Sequence, residues 1–239
     1  NLYFTPNGKY AIVMAEADKE IVFRDPQTMA IKKTVRVPCD GVNHADWTAD
    51  GSQFVATCEF SGTLLLMDTA KMKVLQTAKL PKSKYMDAMP QDIKISPDGS
   101  TFYIADMASD GIWVMPSNNF GHFTFIKTGK GAHGLYITRD AQNLIITNRG
   151  EGSVSLMRFS DQKLIAKWKI PGGGSPDMGN LSTDGKFFWV SGRYDNVVYV
   201  FNIAQGKLVK TIAVGHEPHG LTYWPQPGRY SLGHTGIMR

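Results

Sequence analysis

Residues able to do chemistry recur in this chain at a fixed count from one kind of turn. Asn43, Gln91, His133 and Asp177 each stand eight positions before the last residue of a turn of the type Thr/Ser-x-Asp-Gly, and His219 holds the matching point of the final repeat. Eight positions after the same turn residue come Glu16, Glu59, Met107, Arg149 and Arg193, with Asp106 beside the third. Histidine and carboxylate are ligand types for zinc, copper and iron. Arginine forks match carboxylate and phosphate oxygens. The chemistry in view is therefore capture of a small anion, or a metal held by His133, His219 and Asp177. No local H-x-H or H-E-x-x-H spacing supports the metal.

The elements that must position these residues follow from an internal repeat. The turn recurs as TPNG (5–8), TADG (48–51), SPDG (96–99), TRDA (138–141), STDG (182–185) and WPQPG (224–228), with spacings of 43, 48, 42, 44 and 43 residues. Asp-Gly or Asn-Gly between apolar runs marks a hairpin, because glycine accepts positive φ without strain. TRDA lacks the glycine and is expected to form a looser turn or one of another type. Each turn joins two short β-rich runs, and two more follow, such as LLLMD and VLQTAKL. Four strands in about 44 residues, without helical periodicity, specify an all-β fold: a β-propeller of four-stranded antiparallel blades. WD40 repeats share the period but carry Gly-His and Trp-Asp marks that are missing here.

Residues 1–239 then form one propeller domain with repeat boundaries near 8, 51, 99, 141, 185 and 228. Six innermost strands are expected, the last at 220–223, but only five third and fourth strands. A sixth second strand is expected at 229–233. About 5.5 blades are present. A seven-bladed ring would need roughly 65 further residues at the ~44-residue period, expected as a missing N-terminal part. In such a ring the inner strands enter from one face and the second hairpins return to it. The two residue sets named above thus surround one channel mouth. Acidic side chains lie on the early repeats and arginines on the later ones. Two readings fit: convergence on a ligand, or Glu16, Glu59 and Asp106 simply balancing Arg149 and Arg193 at a wet rim. His44 neighbours Asn43 on the same strand, so it points away from the mouth by the period of two.

Composition excludes other classes. The chain is 42% hydrophobic and 20% charged, with 24 Gly and 12 Pro, so it is neither disordered, collagen-like nor coiled coil. No run approaches the ~18 apolar residues of a membrane helix. The net charge of +5 favours acidic partners, but without a recognition motif nucleic acid is not an expected partner.

The order S-x-D-G (96–99), then VYVFN and KLVKTIAVGHEPHGL up to 221, resembles the YVTN-type β-propeller repeat proteins, often described as surface-layer or quinohaemoprotein-like. The resemblance implies a bacterial or archaeal, usually exported, seven-bladed protein. An extracytoplasmic location (periplasmic, secreted or cell-surface) and a non-catalytic binding or assembly role follow as expectations, with a protein partner or a small anionic ligand at the channel mouth. Propellers of this broad kind also include redox accessories that bind haem d1 or copper, and lactonase- or lyase-like enzymes, to which GAHGL (131–135) and EPHGL (217–221) are loosely similar. No haem-attachment C-x-x-C-H is present, and no cofactor is required by the residues. Cys39 precedes the second inner strand and Cys58 ends its partner. An exported protein would join them in a disulfide, whereas in a cytosolic one they read as two buried thiols.

Overall fold

The computed structural model describes residues 1–83 and 86–226. Within them the chain forms five separate four-stranded antiparallel sheets, each built from four consecutive strands. The first holds β1 (Leu2–Phe4), β2 (Ala11–Ala15), β3 (Glu20–Arg24) and β4 (Ile31–Arg36); the second β5 (Val42–Trp47), β6 (Gln53–Cys58), β7 (Thr63–Asp68) and β8 (Lys73–Lys79). The third holds β9 (Pro90–Ile95), β10 (Thr101–Asp106), β11 (Gly111–Pro116) and β12 (Thr124–Lys127). The fourth holds β13 (Ala132–Ile137), β14 (Asn143–Asn148), β15 (Ser153–Arg158) and β16 (Leu164–Lys169); the fifth β17 (Pro176–Leu181), β18 (Phe187–Gly192), β19 (Val197–Asn202) and β20 (Lys207–Ala213).

The first strand of each sheet is innermost. β5 lies beside β9, β9 beside β13, and β13 beside β17. β9 and β17 are buried along their whole length, while β4, β8 and β20 are largely exposed. The middle strands are buried on both faces, which is why they read as unbroken apolar runs. In β7, Leu65 and Met67 join the core between the first two sheets, and Leu64 and Leu66 join the core between the second and third. In β10, Phe102 and Ile104 face backward while Tyr103 and Ala105 face forward. Alternation by two thus assigns neighbouring side chains to neighbouring cores.

Inner strands of adjacent sheets do not pair with one another, so side chains tie them. Asp46 accepts the Ile95 N–H at 2.8 Å, Asp92 the Leu135 N–H at 3.0 Å, and the Tyr136 hydroxyl the Gly179 N–H at 2.7 Å. His44 is fully buried in this inner layer, its Nδ1 3.1 Å from the Tyr3 hydroxyl.

A second set of ties closes the end of each second strand. Cys58 ends β6 and is joined to Cys39 by a disulfide, with a Cα–Cα distance of 6.1 Å. At the same point of β10, the Asp106 carboxylate accepts the Met89 N–H at 2.8 Å and the Trp113 Nε1–H at 2.9 Å. At the same point of β14, the Asn148 side chain accepts the Thr128 hydroxyl at 3.0 Å. A covalent bond, a carboxylate and an amide do the same job.

Two expectations are corrected. The TRDA turn is not looser: Thr138 Oγ1 donates to Asp140 Oδ1 at 2.6 Å and Asp140 accepts the Gln142 N–H at 3.0 Å. TADG uses the same bonds, at 2.6 and 3.0 Å. The threonine–aspartate pair, not the glycine, defines the turn, and Ala141 is carried into the left-handed region at φ 57°. Residues 220–223, expected as a sixth inner strand, form no strand. They still run along the fifth sheet, with the Tyr223 ring 5.7 Å from that of Trp189 and the Gln226 amide donating to the Leu181 carbonyl at 2.9 Å. The strand expected at 229–233 lies outside the described residues. Left-handed backbone costs a residue with a Cβ roughly 1 kcal/mol. Ala141→Gly should therefore stabilise the protein by up to about 1 kcal/mol, read as a higher urea midpoint at unchanged slope.

Candidate functional site

Four inner strands carry the same irregularity at the same place. In β5 the register passes from Val42↔Cys58 to Ala45↔Ala56, so Asn43 and His44 together oppose Thr57. The equivalent pairs are Gln91 and Asp92 in β9, His133 and Gly134 in β13, and Asp177 and Met178 in β17. Each is a β-bulge, which bends the strand and re-aims a side chain. The residues picked out by spacing are the first residues of these bulges.

A hydroxyl on the second strand secures three of the four bulges, Ala105 standing at that point in the third sheet. Thr57 Oγ1 accepts the His44 N–H at 3.1 Å, Thr147 Oγ1 the Gly134 N–H at 2.7 Å, and Ser191 Oγ the Met178 N–H at 3.3 Å. Two of these hydroxyls also reach the next unit. Thr147 donates to the Asp177 carbonyl at 2.9 Å, and Ser191 donates to the His219 carbonyl at 2.6 Å. His219 is thereby held at the position a sixth inner strand would occupy.

Five of these positions, His133, Asp177, His219, Arg149 and Arg193, converge. Asp177, fully buried, sits at the centre. His133 Nδ1 lies 2.8 Å from Asp177 Oδ1, a short charge-assisted contact. Arg149 Nη1 stands 3.4 Å, Arg193 Nη1 3.7 Å and His219 Nε2 3.9 Å from Oδ2. Both guanidiniums lie against the ring of Tyr194, at 5.6 and 5.8 Å, and Arg149 Nη2 is 2.7 Å from the Met107 sulfur. Burial alone would raise the Asp177 pKa. His133, Arg149 and His219 outweigh it and bring the carboxyl down to about 2. Burial, reinforced by the neighbouring His133 and the positive charges of Arg193 and Arg149, lowers the pKa of His219 despite the pull of Asp177.

The other positions go elsewhere. Asn43 donates to Glu59 Oε2 at 3.2 Å. Partial burial and then the nearby Glu59 carboxylate raise the Glu16 pKa. These three residues make a separate acidic group. The Gln91 amide donates to the Met89 carbonyl at 3.3 Å. Asp106 is fully buried and occupied by its own sheet, including the Ser109 and Ala108 N–H groups. Spacing did not single out Tyr194, Thr147 or Ser191. A signal for the hydroxyls exists, because Thr57, Thr147 and Ser191 each stand two residues before Glu59, Arg149 and Arg193.

Five radially stacked four-stranded sheets around buried inner strands define a β-propeller. The chain belongs to the YNCE-like β-propeller family, whose model matches residues 85–227. No curated protein matches the sequence. Among solved structures, the periplasmic gluconolactonase PpgL of Pseudomonas aeruginosa is similar over 91% of this chain and 73% of that one, at 19% identity and a TM-score of 0.78. The hydrazine synthase of Kuenenia stuttgartiensis is similar over 91% of this chain and 75% of its own, at 16% identity and a TM-score of 0.73. The dihydro-haem d1 dehydrogenase NirN matches over 94% of this chain and 49% of that one, at 15% identity and a TM-score of 0.73. These likenesses concern the fold.

Two predictions follow from the pinned carboxylate. Thr147→Val leaves the buried Gly134 N–H and Asp177 carbonyl without this partner, each worth about 1–3 kcal/mol. A loss of at least about 2 kcal/mol in urea unfolding is expected. Because the folded Asp177 pKa lies below its unfolded value, its contribution is present above about pH 4 and disappears as pH falls through about 2. The stability gap between wild type and Asp177→Asn should shrink by roughly 2 kcal/mol between pH 5 and pH 2, measured by denaturant titration at each pH.

Proposed function

We propose that this protein is a non-catalytic binding propeller that takes up a small anionic ligand at Arg149, Arg193 and His219. The observation that carries the reading is the pair of guanidiniums sharing one carboxylate at 3.4 and 3.7 Å. Charge-assisted pairs close at about 2.7–2.9 Å when they satisfy each other, so both forks keep donors to spare. One carboxylate against two permanent cations leaves an excess of one positive charge. The Arg193 side chain is 31% exposed and that of His219 43% exposed, so the excess is open to solvent. A ligand carboxylate or phosphate supplies the missing acceptors. Guanidiniums hold charge without exchanging protons, which suits retention of a ligand rather than its conversion.

We further propose that the protein is of the YVTN type and works outside the cytoplasm. The Cys39–Cys58 disulfide supports that location. No helix among the described residues is long and apolar enough to cross a membrane.

Calorimetry with phosphate and citrate, in buffer containing a chelator, tests the binding reading. One saturable site is expected, and Arg149→Gln or Arg193→Gln should each weaken it about 10-fold or more. Absence of saturable binding, or affinity unchanged in both variants, would overturn the reading.

A further inference from the structure

We propose that His133, Asp177 and His219 form a binding site for one divalent transition-metal ion of the zinc class. The inference goes beyond the anion reading, shares His219 with it, and is tested separately from it.

One donor atom from each of the three residues lies within 4.8 Å of the other two. A tetrahedral ion with bonds of about 2.0–2.2 Å separates its ligand atoms by about 3.3 Å. His133 lies 2.8 Å from Asp177 Oδ1 and His219 3.9 Å from Oδ2, on either side of that value, so side-chain rotations are needed to close the set on one oxygen.

A second, independent observation points the same way. His133 Nδ1 is buried and, among the described residues, has no polar partner other than the Asp177 carboxylate oxygen 2.8 Å away. An ion bound by both would replace this contact with two metal–ligand bonds.

The backbone that presents the ligands is secured from both sides. The Thr147 hydroxyl accepts the N–H that follows His133 and donates to the Asp177 carbonyl, while Ser191 holds the His219 carbonyl. Such support from outside the ligand set is what fixes metal ligands in place.

Two imidazoles and one carboxylate favour zinc, cobalt, nickel or copper over calcium and magnesium, which require oxygen ligands. The arginines do not displace the ion. Their nearest approaches to the carboxylate are 3.4 and 3.7 Å, and both lie against Tyr194. They stand where they would contact a fourth ligand, such as a water or an anion. Three protein ligands with one open position is the arrangement of reactive rather than purely structural zinc sites.

Zinc titration of the chelator-stripped, tag-free protein tests the site, followed by calorimetry and elemental analysis, with cobalt as an optical probe. One ion per chain is expected, with the intense visible bands of four-coordinate cobalt. His219→Ala, a half-exposed position, should weaken binding at least about 100-fold without loss of fold, as should His133→Ala. Circular dichroism checks that both variants are folded. No binding, or binding unchanged in the folded His219→Ala protein, would overturn the proposal. Phosphate binding that persists in chelator while zinc fails to bind would sink the metal site alone. Zinc binding without phosphate or citrate binding would sink the anion reading alone.

Discussion

Four of the five inner strands carry one residue more than their partners can match, and much of the site geometry depends on how that surplus is absorbed. A bulge strands a backbone N–H in a buried, crowded layer, where leaving it unmade is costly. Thr57, Thr147 and Ser191 supply the acceptor. The same hydroxyls of Thr147 and Ser191 donate onward to the carbonyls of Asp177 and His219. One hydroxyl therefore shapes a bulge and sets the position of the next unit. This links sheets whose inner strands share no ladder, alongside the ties from Asp46, Asp92 and Tyr136.

That mechanical arrangement has an electrostatic result. Bulges at His133 and Asp177 turn consecutive inner strands toward one point, where two arginines arrive from the ends of β14 and β18. Charges about 4 Å apart near a protein surface interact by about 4 kcal/mol, so Asp177 stays ionised despite its burial, with a pKa of about 2. The acidic group of Glu16 and Glu59 belongs to the first two sheets and does not neutralise the arginines. The charge separation along the chain becomes a separation between groups of sheets.

The fold was legible because the repeat is written in bonds that stay local. Turns such as 48–51 close within a few residues, through Thr48, Asp50 and Gly51. The TRDA turn shows the limit of reading by glycine, since Thr138 and Asp140 impose the same geometry on Ala141. Residues 220–223 show another. Their spacing fits an inner strand, but a strand needs a partner ladder, and the described residues offer only side-chain and carbonyl contacts from the fifth sheet. Asp106 stands one residue before the rim position and faces inward, because position in a repeat does not reveal which donors a carboxylate will meet.

By itself the sequence determined the four-stranded unit and the registry that puts His133, Asp177, Arg149 and Arg193 at one end of it. These follow from periodicity and turn chemistry, which act over a few residues. Only the tertiary structure decided which positions meet. It placed His219 with Asp177, separated Glu16 and Glu59 from them, and brought Tyr194 beneath both guanidiniums. The bulges are the physical reason. They break the simple alternation of side chains, and they arise from pairing between strands rather than from either strand alone.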